Sequence, residues 1–374
     1  MTMKSWNTVL PLSIALGTAV AIGPVHAADY KVGLTATYSG DFAAYGQSLR
    51  NGAELAFKTK AQQGLNISLD IVDDRGSPQE GVLVAQRLCS DPSVVAVLGY
   101  TFSSVALAAV PILDECSLPV IASAVTSPDL SGASAYFRRN VMTDAEQGRR
   151  MGSFAAKTLE ARNIYVLYQQ DDYGYGVSDA FSTAAEAGGA TISGSEAYHL
   201  GENNFRTLLT KVKAEAPDTV FIGGFYAEAA KILEQAKQMG LNVQFLGTDG
   251  SLNPQLVALS KGAAEGMVVY GMFDPSIESD VSAGFVSAYR AAYKADPDVW
   301  AALGYDAASV VIATIAEQKK IAEVDREGLN AALSLVKDYP GVTGTIQFND
   351  KGDREGQLFF FRVQNGIFEP VRTK

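Results

Sequence analysis

Residues 94–124 read VVAVLGYTFSSVALAAVPILDECSLPVIASA. The run Val94–Leu98 carries no charge and is rich in β-branched valine, which suits a strand buried on both faces. Residues 99–103 break the run with Gly99, Tyr100, Thr101, Phe102 and Ser103. Ser104–Cys116 then places apolar residues at helical spacing, and Val120–Ala122 opens a second apolar strand. Strand, helix and strand in that order form a right-handed crossover of a parallel sheet.

The alternation extends both ways. Upstream lie strand Val32–Thr35, a helix over Gln47–Lys60 with Leu49, Ala53, Ala56 and Phe57 on one face, and strand Ile67–Val72. The turn Asp73–Pro78 leads into a Pro-started helix, and strand Ala135–Arg138 closes the first run. A second run begins near residue 145 with helix Ala145–Leu159, where Asp144 and Gln147 have capping-box spacing. It continues through strands Ile164–Tyr168, Thr191–Tyr198, Thr219–Gly223, Val243–Leu246 and Gly266–Gly271, interleaved with helices Val177–Ala187, Phe205–Ala214 and Ala227–Met239. Helices Val281–Tyr293, Trp300–Ala316 and Arg326–Leu335 follow, then an expected hairpin of Gly344–Phe348 and Leu358–Val363 around Asn349–Gly352. The fold class is α/β: two lobes, each a mostly parallel sheet flanked by helices. Ligands bind at the carboxyl ends of such strands, so a cleft between the lobes is the expected site.

Length and composition agree with this reading. A chain of 374 residues has room for two domains. Its 47% hydrophobic content excludes a disordered chain. The net charge, 30 − 41 = −11, argues against a nucleic-acid partner. Lys4, the apolar stretch Val9–Ile22 and the small-x-small pattern Val25-His26-Ala27 form a secretory signal with cleavage expected after Ala27. An uncleaved N-terminal anchor is the alternative. After Ala27 no apolar run is expected to span a bilayer, and the product belongs in a bacterial periplasm.

Cys89 and Cys116 each end a helix-like segment ahead of an apolar strand. Two successive crossover helices on one sheet face bring these ends to the same rim, so a disulfide is open to them in an oxidising compartment; two buried free thiols are the alternative. They lack C-x-x-C spacing. The only histidine after Ala27 is His199, at a strand end, which leaves no histidine-rich metal site. No G-x-S-x-G and no Walker A loop occurs.

The candidate binding residues all fall at strand ends. Tyr45 follows the first strand, Phe102 and Ser103 follow Val94–Gly99, and Ala124 and Thr126 follow Val120–Ala122. Ser103 is placed to cap its helix, with free N–H groups suited to a carboxylate. From the second run come Tyr173, Phe225 and Asp249. Each has a plain structural explanation in a cap or turn; their shared position at one expected cleft gives them weight.

In order along the chain, Tyr38-Ser39-Gly40 through Tyr45-Gly46, Asp73-Asp74, Gly99 through Ser104, Ser123 through Leu130, Phe137 through Gly148, Asp172-Tyr173-Gly174, Gly223-Gly224-Phe225, Gly247 through Gly250, Tyr305-Asp306-Ala307 and Gly344 through Gly352 resemble the periplasmic leucine/isoleucine/valine-binding receptors of ABC transporters. The resemblance implies a type I periplasmic binding protein fold with three hinge crossovers. It implies an N-terminal lobe of residues 28–141 plus 274–343 and a C-terminal lobe of residues 142–273 plus 344–374. It also implies a monomeric, non-enzymatic receptor without cofactor, whose partners are a small ligand and membrane permease subunits. Carried over, Ser103 and Thr126 hold an α-carboxylate, and Asp249 with the Ala124 carbonyl receives an α-ammonium. Tyr45, Phe102, Tyr173 and Phe225 line the side-chain pocket. Asp249 stands where the leucine receptors have Glu, and Phe225 where they have Tyr, so the ammonium sits closer or through a water, and one phenol contact is lost. A receptor for an aromatic carboxylate, amide or urea-type solute stays open. So does a chemoreceptor partner. An enzyme reading would be a hydrolase using Asp171, Asp172 or Asp249, although the side chains of adjacent Asp171 and Asp172 diverge.

Overall fold

The computed structural model describes residues 1–2, 30–61, 65–277 and 279–372. The expected signal segment beyond its first two residues, with its cleavage site, lies outside the described residues.

The chain builds β1 (Tyr30–Ala36), α1 (Ala43–Lys60), β2 (Ile67–Asp73), α2 (Pro78–Ser90), β3 (Val94–Leu98), α3 (Ser103–Glu115), β4 (Val120–Ala122) and β5 (Phe137–Arg139). These strands form one parallel sheet in the order β2-β1-β3-β4-β5. The order reverses between β1 and β3, so the loops leaving their carboxyl ends diverge and open a crevice.

The second sheet repeats the device. It follows α4 (Asp144–Lys157) with β6 (Asn163–Gln169), α5 (Asp172–Ala187), β7 (Thr191–Tyr198), α6 (Arg206–Glu215), β8 (Thr219–Gly223), α7 (Tyr226–Gln238), β9 (Gln244–Gly247), α8 (Pro254–Leu259) and β10 (Val268–Gly271). Then come α9 (Asp280–Tyr293), α10 (Val299–Lys319), α11 (Arg326–Ser334), β11 (Tyr339–Gly341), β12 (Gly344–Ile346), β13 (Phe359–Gln364) and β14 (Ile367–Pro370). The sheet order is β14-β13-β10-β9-β8-β6-β7, with β13 antiparallel to both neighbours and the rest parallel. Here the reversal falls between β6 and β8.

After β10 the chain returns to the first sheet, where α10 packs along α1 and α11 against β3. Glycine makes the α1–α10 approach possible. A Cβ at Gly52 would lie 1.9 Å from the Ala301 carbonyl oxygen, and one at Gly304 would lie 2.4 Å from that of Leu49. This close crossing sets the first turns of α1 and α10 side by side. With 21 residues, α10 is long and apolar enough to cross a membrane, contrary to expectation, but 83% of its apolar window is buried inside the protein. It is the core helix of the first lobe.

The expected hairpin of Gly344–Phe348 with Leu358–Val363 does not form. β12 pairs back on β11 instead. Buried Asp306 fixes that turn by accepting from Val342 N (2.7 Å) and Thr343 N (2.9 Å). The Asn349–Gly352 turn exists, with Gly352 N donating to Asn349 O at 2.9 Å. The residues after it are pulled away. Asp353 pairs with Arg139 at 2.7 Å, and Arg354 reaches the Asn140 carbonyl at 2.9 Å. β13 therefore starts in the other sheet. The expected capping box does not form: Thr143, not Asp144, caps α4 by accepting from Glu146 N at 3.3 Å, while Asp144 is buried.

Cys89 and Cys116 are disulfide-bonded, with Cα atoms 5.8 Å apart. Arg326 covers the same rim, donating to the carbonyls of Leu88, Cys89, Asp91, Val94 and Cys116. Several of these are helix-end carbonyls without an intrahelical partner. Replacing both cysteines with serine is expected to lower the unfolding free energy by about 3–4 kcal/mol. The fold should survive, because Arg326 still gathers the two helix ends; urea unfolding followed by circular dichroism checks both statements.

Candidate functional site

The two switch points face each other. From the first sheet come Phe42, Tyr45, Thr101, Phe102 and Ala124, joined by Trp300 from the start of α10. From the second come Tyr173, Phe225, Tyr226, Asp249 and Gly250. Rings interlock across the gap: Phe102 lies 4.8 Å from Phe225, Phe42 5.6 Å from Phe225, and Tyr45 5.0 Å from Tyr226. The Tyr45 hydroxyl donates to the Gly250 carbonyl, and the Tyr226 hydroxyl to the Asp41 carbonyl at 2.5 Å. Tyr45, Thr101, Ala124, Tyr173, Phe225, Asp249, Gly250 and Trp300 wall a cavity of about 10 Å³, room for a single water centre. The lobes are closed on one another.

Five of the eight expected binding residues, Tyr45, Ala124, Tyr173, Phe225 and Asp249, line this cavity. Phe102, Ser103 and Thr126 stand beside it. Ser103 is the first residue of α3 rather than its cap, a place taken by Phe102. The Ser103 Oγ accepts from Thr126 N and Ser127 N, each at 3.3 Å. The Thr126 hydroxyl is buried beside the Asp144 carboxylate. Helix starts at Ala43 and Asp172, earlier than expected, place Tyr45 and Tyr173 on helical first turns.

Asp249 begins a short 3₁₀ turn after β9. Its carboxylate accepts from the Tyr173 hydroxyl at 2.7 Å and from Gly250 N at 2.8 Å. Tyr173 stacks on Phe225 at 4.9 Å with the rings 12° apart, which fixes the hydroxyl's aim. Burial pushes the Asp249 pKa above its ordinary 3.8, while the Tyr173 and Gly250 donors oppose that shift. Asp144 is also fully buried. Burial, reinforced by the Asp249 charge, pushes its pKa well up, with the Thr126 hydroxyl and Arg139 pulling the other way. The Tyr270 hydroxyl, buried beside Asp249, completes this group. Burial also holds Tyr173 and Tyr270 as neutral phenols.

Sequence reasoning did not find Trp300, Thr101 or Phe42. Trp300 lies far along the chain from the other wall residues, and its signal was only a tryptophan opening an apolar helix. Asp144 and Gln147 were noticed for their spacing and given a capping role they do not have. His199 is exposed after β7. Asp171 caps α5 by accepting from Gly174 N at 2.8 Å, and Asp172 is exposed; neither faces the cavity. Among the described residues no group of three or more His, Cys, Asp or Glu side chains is placed to hold a metal.

Residues 29–366 match the family described as periplasmic binding protein. The Leu/Ile/Val-binding protein BraC3 of Rhizobium johnstonii is 28% identical over 357 residues, covering 94% of this chain and 96% of that one. The crystal structure of the leucine-binding protein LivK from Thermotoga maritima superposes with a TM-score of 0.86 at 27% identity, covering 92% of this chain and 98% of that one. That of the branched-chain amino acid transporter substrate-binding protein LivJ from Streptococcus pneumoniae, in complex with isoleucine, gives 0.85 at 27% identity, covering 91% and 99%. The two-lobed architecture, the cleft between opposed switch points and the match over nearly the whole chain have one meaning: the chain belongs to the periplasmic binding protein family, extracytoplasmic solute receptors of ABC importers rather than enzymes.

Proposed function

We propose that the cleft takes a branched-chain or other neutral or aromatic L-amino acid and delivers it to the permease subunits of an ABC importer. The observation that carries this reading is Asp249. It is a buried carboxylate in the cavity wall, oriented by the Tyr173 hydroxyl and Gly250 N with the Gln147 side chain close by, and able as a carboxylate to take a cation as well. The α-ammonium goes to Asp249, and the α-carboxylate to the Ser103–Thr126 side, where the Thr126 hydroxyl is buried. Tyr45, Phe102, Tyr173 and Phe225 surround the side chain. The ligand bridges both lobes only when they are closed, so binding and closure are one equilibrium. The two lobes act as the moving bodies, with the expected boundary after residue 343 shifted further along, because β12 pairs with β11 and so moves with the first lobe. Cleavage after Ala27 releases the chain to the periplasm.

The test is the pH dependence of L-leucine affinity, measured by calorimetry on residues 28–374. Asp249 has a raised pKa, so it loses its charge as pH falls through a window above 3.8. The ligand ammonium stays charged throughout that window. Affinity is therefore expected to weaken as pH falls from neutral into that window. Benzoate, which has no ammonium, should show the opposite trend, because an ionised Asp249 repels it. Leucine affinity that is flat or rises towards acid contradicts the ammonium role.

A further inference from the structure

Trp300 is only 3% exposed and forms one wall of the cavity. Its position is fixed from two sides. Asp298, capping α10, accepts from Ala301 N at 2.8 Å and from the Ser48 hydroxyl on α1 at 2.7 Å. Tyr45 meets the indole edge-on, with ring centres 5.3 Å apart and planes at 83°. The other polar side chains of the wall are engaged: Tyr45 with the Gly250 carbonyl, Tyr173 with Asp249, and Thr101 with Thr37 N. The indole Nε1–H alone among them is buried without a partner. An indole nitrogen can only donate.

The geometry points to Trp300 as the residue that reads the ligand's side chain: its N–H calls for an oxygen acceptor there. The preferred ligand class is an L-amino acid with a side-chain hydroxyl or carboxamide, ahead of its aliphatic counterpart. This inference rests on the amino acid reading of the cleft. A site built around a fixed donor rejects an analogue that leaves the donor unpaired more strongly than an apolar pocket rejects a change of size.

After residue 27, Trp300 is the only tryptophan, since the other of the two is Trp6. Residues 28–374 labelled with ¹⁵N therefore give one indole N–H resonance. The probes are two matched pairs, L-threonine with L-valine and L-glutamine with L-methionine. The acceptor-bearing member of each pair is expected to bind about ten-fold tighter and to move the indole proton downfield, while its partner does not. In Trp300→Phe the preference within each pair should fall to about one, whatever the change in absolute affinity. Equal binding within the pairs, an unmoved indole proton, or a preference that survives in Trp300→Phe overturns the proposal. If Trp300→Phe does not fold, the resonance of the parent protein decides. If none of the four amino acids binds while L-leucine does, or if they bind without discrimination, the Trp300 role falls alone; if L-leucine does not bind either, the amino acid reading falls and takes this proposal with it.

Discussion

Asp249→Ala is expected to weaken L-leucine binding by about 3–5 kcal/mol, a loss of more than about 100-fold. The cause is an ammonium left in a closed, dry cleft without its counter-charge. The magnitude follows from burial: the same pair on the surface would be worth about 1 kcal/mol or less. The variant also takes the acceptor from the Tyr173 hydroxyl and from Gly250 N. Asp249→Asn separates these effects, because it keeps the shape and one acceptor while removing the charge, and it too should bind leucine poorly. Equilibrium dialysis with 4-methylpentanoate, the leucine skeleton without its ammonium, completes a cycle. That compound should bind Asp249→Asn better than the parent, because its carboxylate no longer meets an ionised Asp249. Equal losses for both ligands would assign Asp249 a structural role only.

Arg139→Met should destabilise the fold by about 3–5 kcal/mol. Arg139 is 0% exposed, yet it is charged. Its Nε donates to Asp353 at 2.7 Å, Nη1 to the Ser127 carbonyl at 2.7 Å, and Nη2 to the Ser131 hydroxyl at 2.5 Å. Burial lowers its pKa, and Asp353 opposes that shift. Removing it strands the Asp353 carboxylate at the third crossing between the sheets. It also loosens the loop that carries Thr126, so leucine affinity should fall with stability. Urea unfolding measures the first effect. Adding Asp353→Leu removes the stranded charge and should restore part of the loss. A double variant no more stable than Arg139→Met would show that Asp353 was never the source of the cost.

The fold was legible because its strands are unbroken apolar runs and its helices keep one apolar face. Val94–Leu98 and Thr219–Gly223 needed no tertiary information to be read as buried strands. The end of the chain was harder. β12 stops at Ile346 because Asp306, some forty residues earlier, fixes its turn, and because Arg139 and the Asn140 carbonyl hold Asp353 and Arg354 at the end of β5 before the chain leaves for the other sheet. Such long-range polar ties leave no periodic trace. The site divides in the same way. Tyr45, Tyr173, Phe225 and Asp249 sit where strands end, so local reading found them. Trp300 reaches the cavity only because Gly52 and Gly304 let α10 lie against α1. Ser103 shows a different limit: a serine after a strand looks like a cap, but its hydroxyl is taken by the amides of Thr126 and Ser127.

The most direct measurement is a thermal-shift panel on residues 28–374, unfolded and refolded to strip any carried ligand. The panel holds the common L-amino acids, their deaminated carboxylates, a few amides and benzoate. A ligand at 100-fold over its dissociation constant stabilises by about 2.7 kcal/mol, a readable shift. Stabilisation by neutral L-amino acids and not by their deaminated counterparts is the expected result. Stabilisation by benzoate or by the deaminated acids, with none from any amino acid, would contradict the assignment of Asp249 to an ammonium and of the cleft to amino acids.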